Sequence, residues 1–214
     1  ADVVMAHSLK LEEASVAKGS YINRRYIMYN DFVVIGPESD PAGIKGMKSA
    51  AEAFKEIANT KAAFFSRGDN SGTHTKELEL WREAGVEPKG EWYKSVGKGM
   101  GATIAMATAQ EGYTFSDRGT YLALKGSTNL KILVEGDAAL FNPYHVMAVN
   151  PEKYPAVKYE AAMQYISFLT SPQGQKIILN YGINYTFDPN TGAKKPGFGE
   201  ALFVPAAISK EEYK

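Results

Sequence analysis

Apolar runs of strand length alternate along this chain with helix-length segments that carry one apolar face. That order restricts the fold to layers of helices on a sheet. Extended runs are read at Val3–Ala6, Tyr26–Ile35 (closed by Gly36-Pro37), Ala62–Phe65, Trp92–Val96, Tyr113–Ser116, Leu130–Val134 and Tyr144–Val149. Helices are read around Leu11–Lys18 before Gly19, and from Ser49 with Ala50, Ala53, Phe54 and Ile57 on one face. Another starts near Thr73 and carries Leu78, Trp81 and Ala84 before Gly85. Gly97–Gly101 opens one with Ile104 and Ala105, Asp117 caps one through Leu124, and Ser171-Pro172 splits the pair Tyr159–Leu169 and Gln173–Tyr181. The tail from Ile183 is turn-rich and is expected to wrap the surface. The fold class is therefore α/β.

Composition narrows the function. The 214 residues hold 24 basic and 24 acidic side chains, with no basic excess of the kind a nucleic-acid binder shows. No run approaches the roughly 20 apolar residues that span a bilayer. With no cysteine there is no disulfide framework, thiolate metal site or thiol nucleophile. His7, His74 and His145 lack metal-ligand spacing, and no G-x-S-x-G elbow occurs. The aromatic residues are not interleaved with a basic patch, so they are assigned to core packing.

The two long extended runs are candidate crossings between lobes. Residues 1–36 with 141–214 would form lobe I, discontinuous in sequence, and residues 37–140 would form lobe II. A ligand would bind in the cleft where strand ends and helix starts converge. Ala1–Ala6 reads as a core strand without a lead-in, so a further segment is expected to precede it.

The most informative segment is Ser66-Arg67-Gly68-Asp69-Asn70-Ser71-Gly72-Thr73-His74, between a strand and a helix. A helix start offers unpaired N–H groups and the positive end of the dipole, which suits an anion. Gly68 and Gly72 allow close backbone approach, Ser71 and Thr73 bring hydroxyls, and Arg67 brings a planar fork for two oxyanion oxygens. The plainer alternative is that Asn70 or Ser71 caps the helix and Arg67 pairs with Asp69. Capping alone does not call for that set of residues, so Arg67, Asn70, Ser71, Gly72 and Thr73 are taken as oxyanion candidates. Asp2 and His7-Ser8 flank the first strand, and Ser8 either caps the next helix or donates to a ligand. Thr120, beside the helix cap Asp117, is a further candidate. Gly97-Lys98-Gly99-Met100-Gly101-Ala102-Thr103 matches neither nucleotide-binding glycine pattern.

Several strings resemble the tungstate-binding proteins of ABC transporters. They are Ala1-Asp2-Val3-Val4, Arg24–Phe32, Asp40–Ile44, the Ser66–Thr73 loop, Gly99–Thr103, Tyr113–Leu122 and Asn142-Pro143-Tyr144. Phe168–Gln175 is similar to the closing segment of molybdate-type binding proteins. The resemblance implies a two-lobed type II periplasmic binding protein fold with the first strand-helix unit missing from the chain. It also implies an oxyanion held by hydroxyls, amides and an arginine, carried here by Arg67, Ser71 and Thr73, with Ser8 beside them. The Thr/Ser-rich first-loop motif of the family has no counterpart before Ala1.

On this reading the chain is a non-catalytic receptor for tungstate or molybdate, without a cofactor. It would be monomeric, serve a membrane permease, and work in the periplasm or on the outer face of the membrane. The alternatives are a phosphate or molybdate receptor, an oxyanion-sensing domain, or an enzyme on the same fold. A sensor would carry a DNA-binding helix pair, and an enzyme would carry a cofactor lysine or paired acid and base.

Overall fold

The computed structural model describes residues 1–188 and 191–206. The chain divides into two compact units, Ala1–Asn30 with Asn142–Lys214, and Asp31–Phe141. It passes from one to the other inside strand β2 (Tyr21–Gly36) and at the start of strand β7 (Phe141–Val149).

The Asp31–Phe141 unit is built on a mixed sheet. The second half of β2 pairs antiparallel with β5 (Tyr113–Asp117) and with β6 (Lys131–Val134), and β3 (Phe64–Ser66) runs parallel to β5 and to β4 (Tyr93–Ser95). Side chains alternate across a strand, so Phe32, Val34, Phe64 and Phe115 share one face. There they meet Ala50, Ala53, Phe54 and Ile57 of α2 (Ala50–Thr60), and Leu80 and Trp81 of α3 (Gly72–Glu83). Phe54 lies 4.3 Å from Trp81 between ring centroids, and Trp81 meets Phe64 edge-on at 5.1 Å. Val33, Ile35 and Phe65 point the other way and are also buried. Helix α4 (Met100–Ala109) packs on β3 and β5 through Met100, Ile104 and Ala107, none of which belongs to the Phe54–Trp81 cluster. Helices thus cover both faces of the sheet.

Local chemistry fixes the helix starts. Ser49 accepts from Glu52 N–H, and Asp117 accepts from Thr120 N–H to open α5 (Arg118–Leu124). Gly85, at φ +70°, follows the last turn of α3 and stops it. One helical face differs from the sequence reading. In α3 the inward residues are Thr73, Glu77, Leu80 and Trp81, while Leu78 is 38% exposed. A buried glutamate takes the place expected for the leucine, because its polar partners lie inside. In α4 the inward residues are Thr103, Ile104 and Ala107, and Ala105 faces out.

In the other unit, β1 (Val3–Ala6) pairs antiparallel with β7, which neighbours β2. Ile27, Met28, Val146 and Ala148 form its core with Ala162, Ile166 and Leu169 of α6 (Tyr159–Thr170). Helix α1 (Leu9–Ala17) precedes β2, and Ser171 caps α7 (Pro172–Asn180) by accepting from Gly174 N–H, with Pro172 in the first turn. The tail does more than wrap the surface. After the hairpin of β8 (Tyr185–Phe187) and β9 (Lys194–Pro196), β10 (Val204–Pro205) pairs with Met28 and Tyr29 of β2. Two residues before the pairing of Ala206 N–H with Ile27 carried too little pattern to read as a strand. Among the described residues, no helix is long and apolar enough to cross a membrane.

Candidate functional site

The Ser66–Thr73 loop leaves β3 and enters α3, a helix of 12 residues. Two left-handed residues, Gly68 (φ +61°) and Asn70 (φ +58°), fold it back. At Gly68 a Cβ would overlap the Ser95 hydroxyl, so the backbone lies against β4 where no side chain fits. Asparagine tolerates the same region at residue 70, and its N–H donates to His74 Nδ1 at 3.0 Å. Ser71 is the N-cap, its hydroxyl oxygen accepting from His74 N–H at 3.3 Å. A hydroxyl that accepts through a lone pair can also donate its hydrogen, and the Ser71 side chain engages Asp69 as well as capping the helix. Gly72 and Thr73 are the first two helical residues, whose N–H groups have no acceptor within the helix. Thr73 is 5% exposed.

Arg67 donates from Nε and Nη2 to Asp69 Oδ2 at 3.1 and 2.5 Å. Asp69 Oδ1 accepts from Ser71 N–H at 3.2 Å. Burial pushes the Asp69 carboxyl up, but hydrogen bonds from Ser71 and Arg67 outweigh it and hold the group at about 2. Asp69 is therefore a carboxylate at neutral pH, pairing with Arg67 and fastening the loop at once. The structure brings Arg67, Asn70, Ser71, Gly72 and Thr73 onto one loop and helix start.

Thr120 is different. Its N–H and its hydroxyl both go to Asp117, at 2.8 Å each, so it belongs to a helix cap. Its neighbour Arg118 grips Asp31 through two parallel bonds of 2.7 and 2.6 Å and also reaches Glu135. These carboxylates raise Arg118 above its ordinary value, and its role is to tie β2 to α5. Ser8 belongs to the unit containing Ala1–Asn30. It stands at the N-cap of α1, yet its side chain makes no capping bond. Asp2 accepts from Lys158 N–H, and His7 Nδ1 lies 3.0 Å from Asn142 Oδ1.

Two buried carboxylates escaped the sequence reading. Glu12, 2% exposed, accepts from Arg24 Nε and Nη2 at 2.9 and 2.8 Å, with His145 Nδ1 at 3.0 Å. Glu77 accepts from Ser66 Oγ–H at 2.8 Å, from Tyr93 O–H at 2.8 Å and from Trp81 Nε1–H at 3.1 Å. Burial pushes Glu77 up to about 7 against those three donors, and the charge of Asp69 adds to the rise. A glutamate in a helical pattern reads as solvent-facing, and only its spacing of four from Trp81 hinted otherwise.

Comparison with known proteins places the chain in a family. Residues 1–173 match the model of the PBP superfamily domain. The chain is 50% identical over 212 residues to the ABC transporter anion-binding protein of Haloferax volcanii, covering 96% of this chain and 61% of that protein. To the tungstate-binding protein TupA of Peptoclostridium acidaminophilum it is 42% identical over 209 residues, covering 97% of this chain and 69% of the relative. The solved structure of the tungstate ABC transporter from Geobacter sulfurreducens is 57% identical, with a TM-score of 0.75 over 84% of this chain and 77% of that one. The chain thus spans somewhat under two thirds of the Haloferax relative and somewhat over two thirds of the Peptoclostridium one. A family match over most of the chain, with relatives this similar, means that the chain belongs to the PBP superfamily and, within it, to the family of TupA.

Proposed function

We propose that this chain is the solute-binding part of an ABC uptake receptor for a tetrahedral oxyanion, tungstate first, working in the periplasm or on the outer face of the membrane. The observation that carries the reading is the Ser66–Thr73 loop. There an arginine fork, the Ser71 and Thr73 hydroxyls and the open N–H groups of Gly72 and Thr73 gather at one helix start. The names of the relatives support the choice of anion. The reading is non-catalytic and needs no cofactor, and its partner is a permease that receives the anion from a monomeric receptor.

The donor chemistry separates tungstate and molybdate from phosphate. A fully deprotonated dianion accepts only, whereas monohydrogen phosphate carries an O–H that must find an acceptor. Burying that group unpaired costs about 1–3 kcal/mol. Asp69 is the one carboxylate on the loop, and both its oxygens are engaged, with Arg67 and with Ser71 N–H. That arrangement supports the dianion reading over a phosphate receptor. Competition calorimetry at neutral pH on the full-length protein tests it, with tungstate, molybdate, sulfate and phosphate. Tungstate should bind tightest, and phosphate or sulfate equalling it would defeat the assignment.

A further inference from the structure

We propose that Glu77 is the positioning residue of the anion loop and takes up a proton when a dianion binds there. The proposal rests on the reading of Ser66–Thr73 as the anion site. Its basis is a chain of hydrogen bonds that leads from the buried carboxylate to the loop backbone. Glu77 Oε2 accepts from Ser66 Oγ–H at 2.8 Å, and Ser66 Oγ accepts from Gly68 N–H at 3.2 Å. Glu77 is 1% exposed and Ser66 is fully buried, so water does not compete for these bonds.

The direction of the bonds depends on the proton. An ionised Glu77 only accepts, so Ser66 must donate to it and can hold Gly68 only through a lone pair. A protonated Glu77 donates from Oε2 to Ser66 Oγ, which releases the Ser66 hydrogen. Electrostatics couples this exchange to the loop. The Asp69 charge is already felt at Glu77, and a bound dianion carries twice that charge. The groups facing Glu77 are Ser66 from β3, Tyr93 from β4, Trp81 on its own helix and Asp69 from the loop, itself paired with Arg67. His74 lies one turn back on α3. Glu77 titrates at about 7, so the proton is available at neutral pH. Binding that raises the pKa of Glu77 draws a proton from solvent. Affinity therefore rises as pH falls through this range.

The test is calorimetry of tungstate binding to the full-length protein at pH 7 in PIPES and in imidazole, which differ in ionisation enthalpy. The expected result is uptake of about half a proton, with affinity falling roughly five- to twentyfold from about pH 6.5 to about pH 8.5. Glu77→Gln keeps the shape but cannot titrate, so uptake should vanish and the pH profile flatten. His74→Gln should retain both. If Glu77→Gln does not fold, Tyr93→Phe takes its place. Losing that donor raises Glu77 further and should move the profile to higher pH, and an unmoved profile overturns the proposal. Uptake that persists in Glu77→Gln, or disappears in His74→Gln, also overturns it. Binding without any proton uptake overturns this proposal alone, whereas absence of tungstate binding overturns the proposed function and this with it.

Discussion

The Arg67 guanidinium lies side-on to Asp69, with Nε and Nη2 converging on a single carboxylate oxygen while the other oxygen holds Ser71 N–H. The pair therefore orients the fork rather than exhausting it. No bond of Nη1 is among those to Asp69, and Nη1 carries two N–H donors of its own.

Arg67→Ala should leave the fold intact, because the arginine supports no apolar core. Tungstate binding should weaken by roughly 1.5–3 kcal/mol, or about ten- to 150-fold in Kd. Calorimetry showing unchanged affinity would remove Arg67 from the site. Asp69→Asn should keep tungstate binding. Phosphate binding that exists in the parent and disappears in Asp69→Asn would instead indicate a phosphate receptor.

Gly68→Ala should damage the loop for two separable reasons. Alanine at φ +61° carries left-handed strain of about 1–2 kcal/mol, and its methyl would overlap Ser95 Oγ. The double variant Gly68→Ala with Ser95→Gly should recover part of the lost stability but not the strain. Full recovery in urea melts would show that the backbone conformation at residue 68 costs nothing.

Trp81→Ala should destabilise the Asp31–Phe141 unit by about 3–5 kcal/mol, since the indole packs on Phe54 and Phe64 and donates to Glu77. Leu78→Ala, on the exposed face of the same helix, should change stability by about 0.5 kcal/mol or less. Equal losses in denaturant unfolding would contradict the facing of α3 described above.

Arg24→Ala should cost about 3 kcal/mol or more, because it strands the buried Glu12 carboxylate. His145 adds a pH dependence of defined sign. Burial pushes its pKa down, and the neighbouring Arg24 charge adds to that, against the pull of Glu12. Its contribution to stability is therefore complete above the unfolded histidine value of about 6.5 and is lost as pH falls through the lower folded value. As pH falls below about 6.5 the parent should lose stability that His145→Asn does not lose. Parallel curves for the two proteins would refute the assignment.

Much of this was legible because local chemistry and fold agree. The apolar face of α2, the caps Ser49 and Asp117 and the Ser171-Pro172 break all follow from residue type and spacing. The loop proposed for the oxyanion is read from the same kind of signal, as glycine, hydroxyl and arginine meet within one short segment. Glu12 and Glu77 were not legible, because what buries a carboxylate is its partners. Arg24 and His145 for one, Ser66 and Tyr93 for the other, lie 11 to 133 residues away in sequence. The change of partners along β2, from Met28 and Tyr29 with β10 to Phe32–Ile35 with β5, was equally hidden in one extended run, where only the polar pair Asn30-Asp31 separates the two stretches.

The pairing of Val3 with Ala148 has a consequence for how the chain is made. A ribosome delivers residues in order, so β1 emerges long before β7, and the groups it will share with β7 wait unmatched until then. The Asp31–Phe141 unit has all its own strands and helices once Phe141 is synthesised. In the other unit, the described pairing closes later, when Val204 and Pro205 reach Tyr29 and Met28. The Asp31–Phe141 stretch can therefore fold first, while the edge of β1 that pairs with β7 must be kept from wrong partners until β7 arrives.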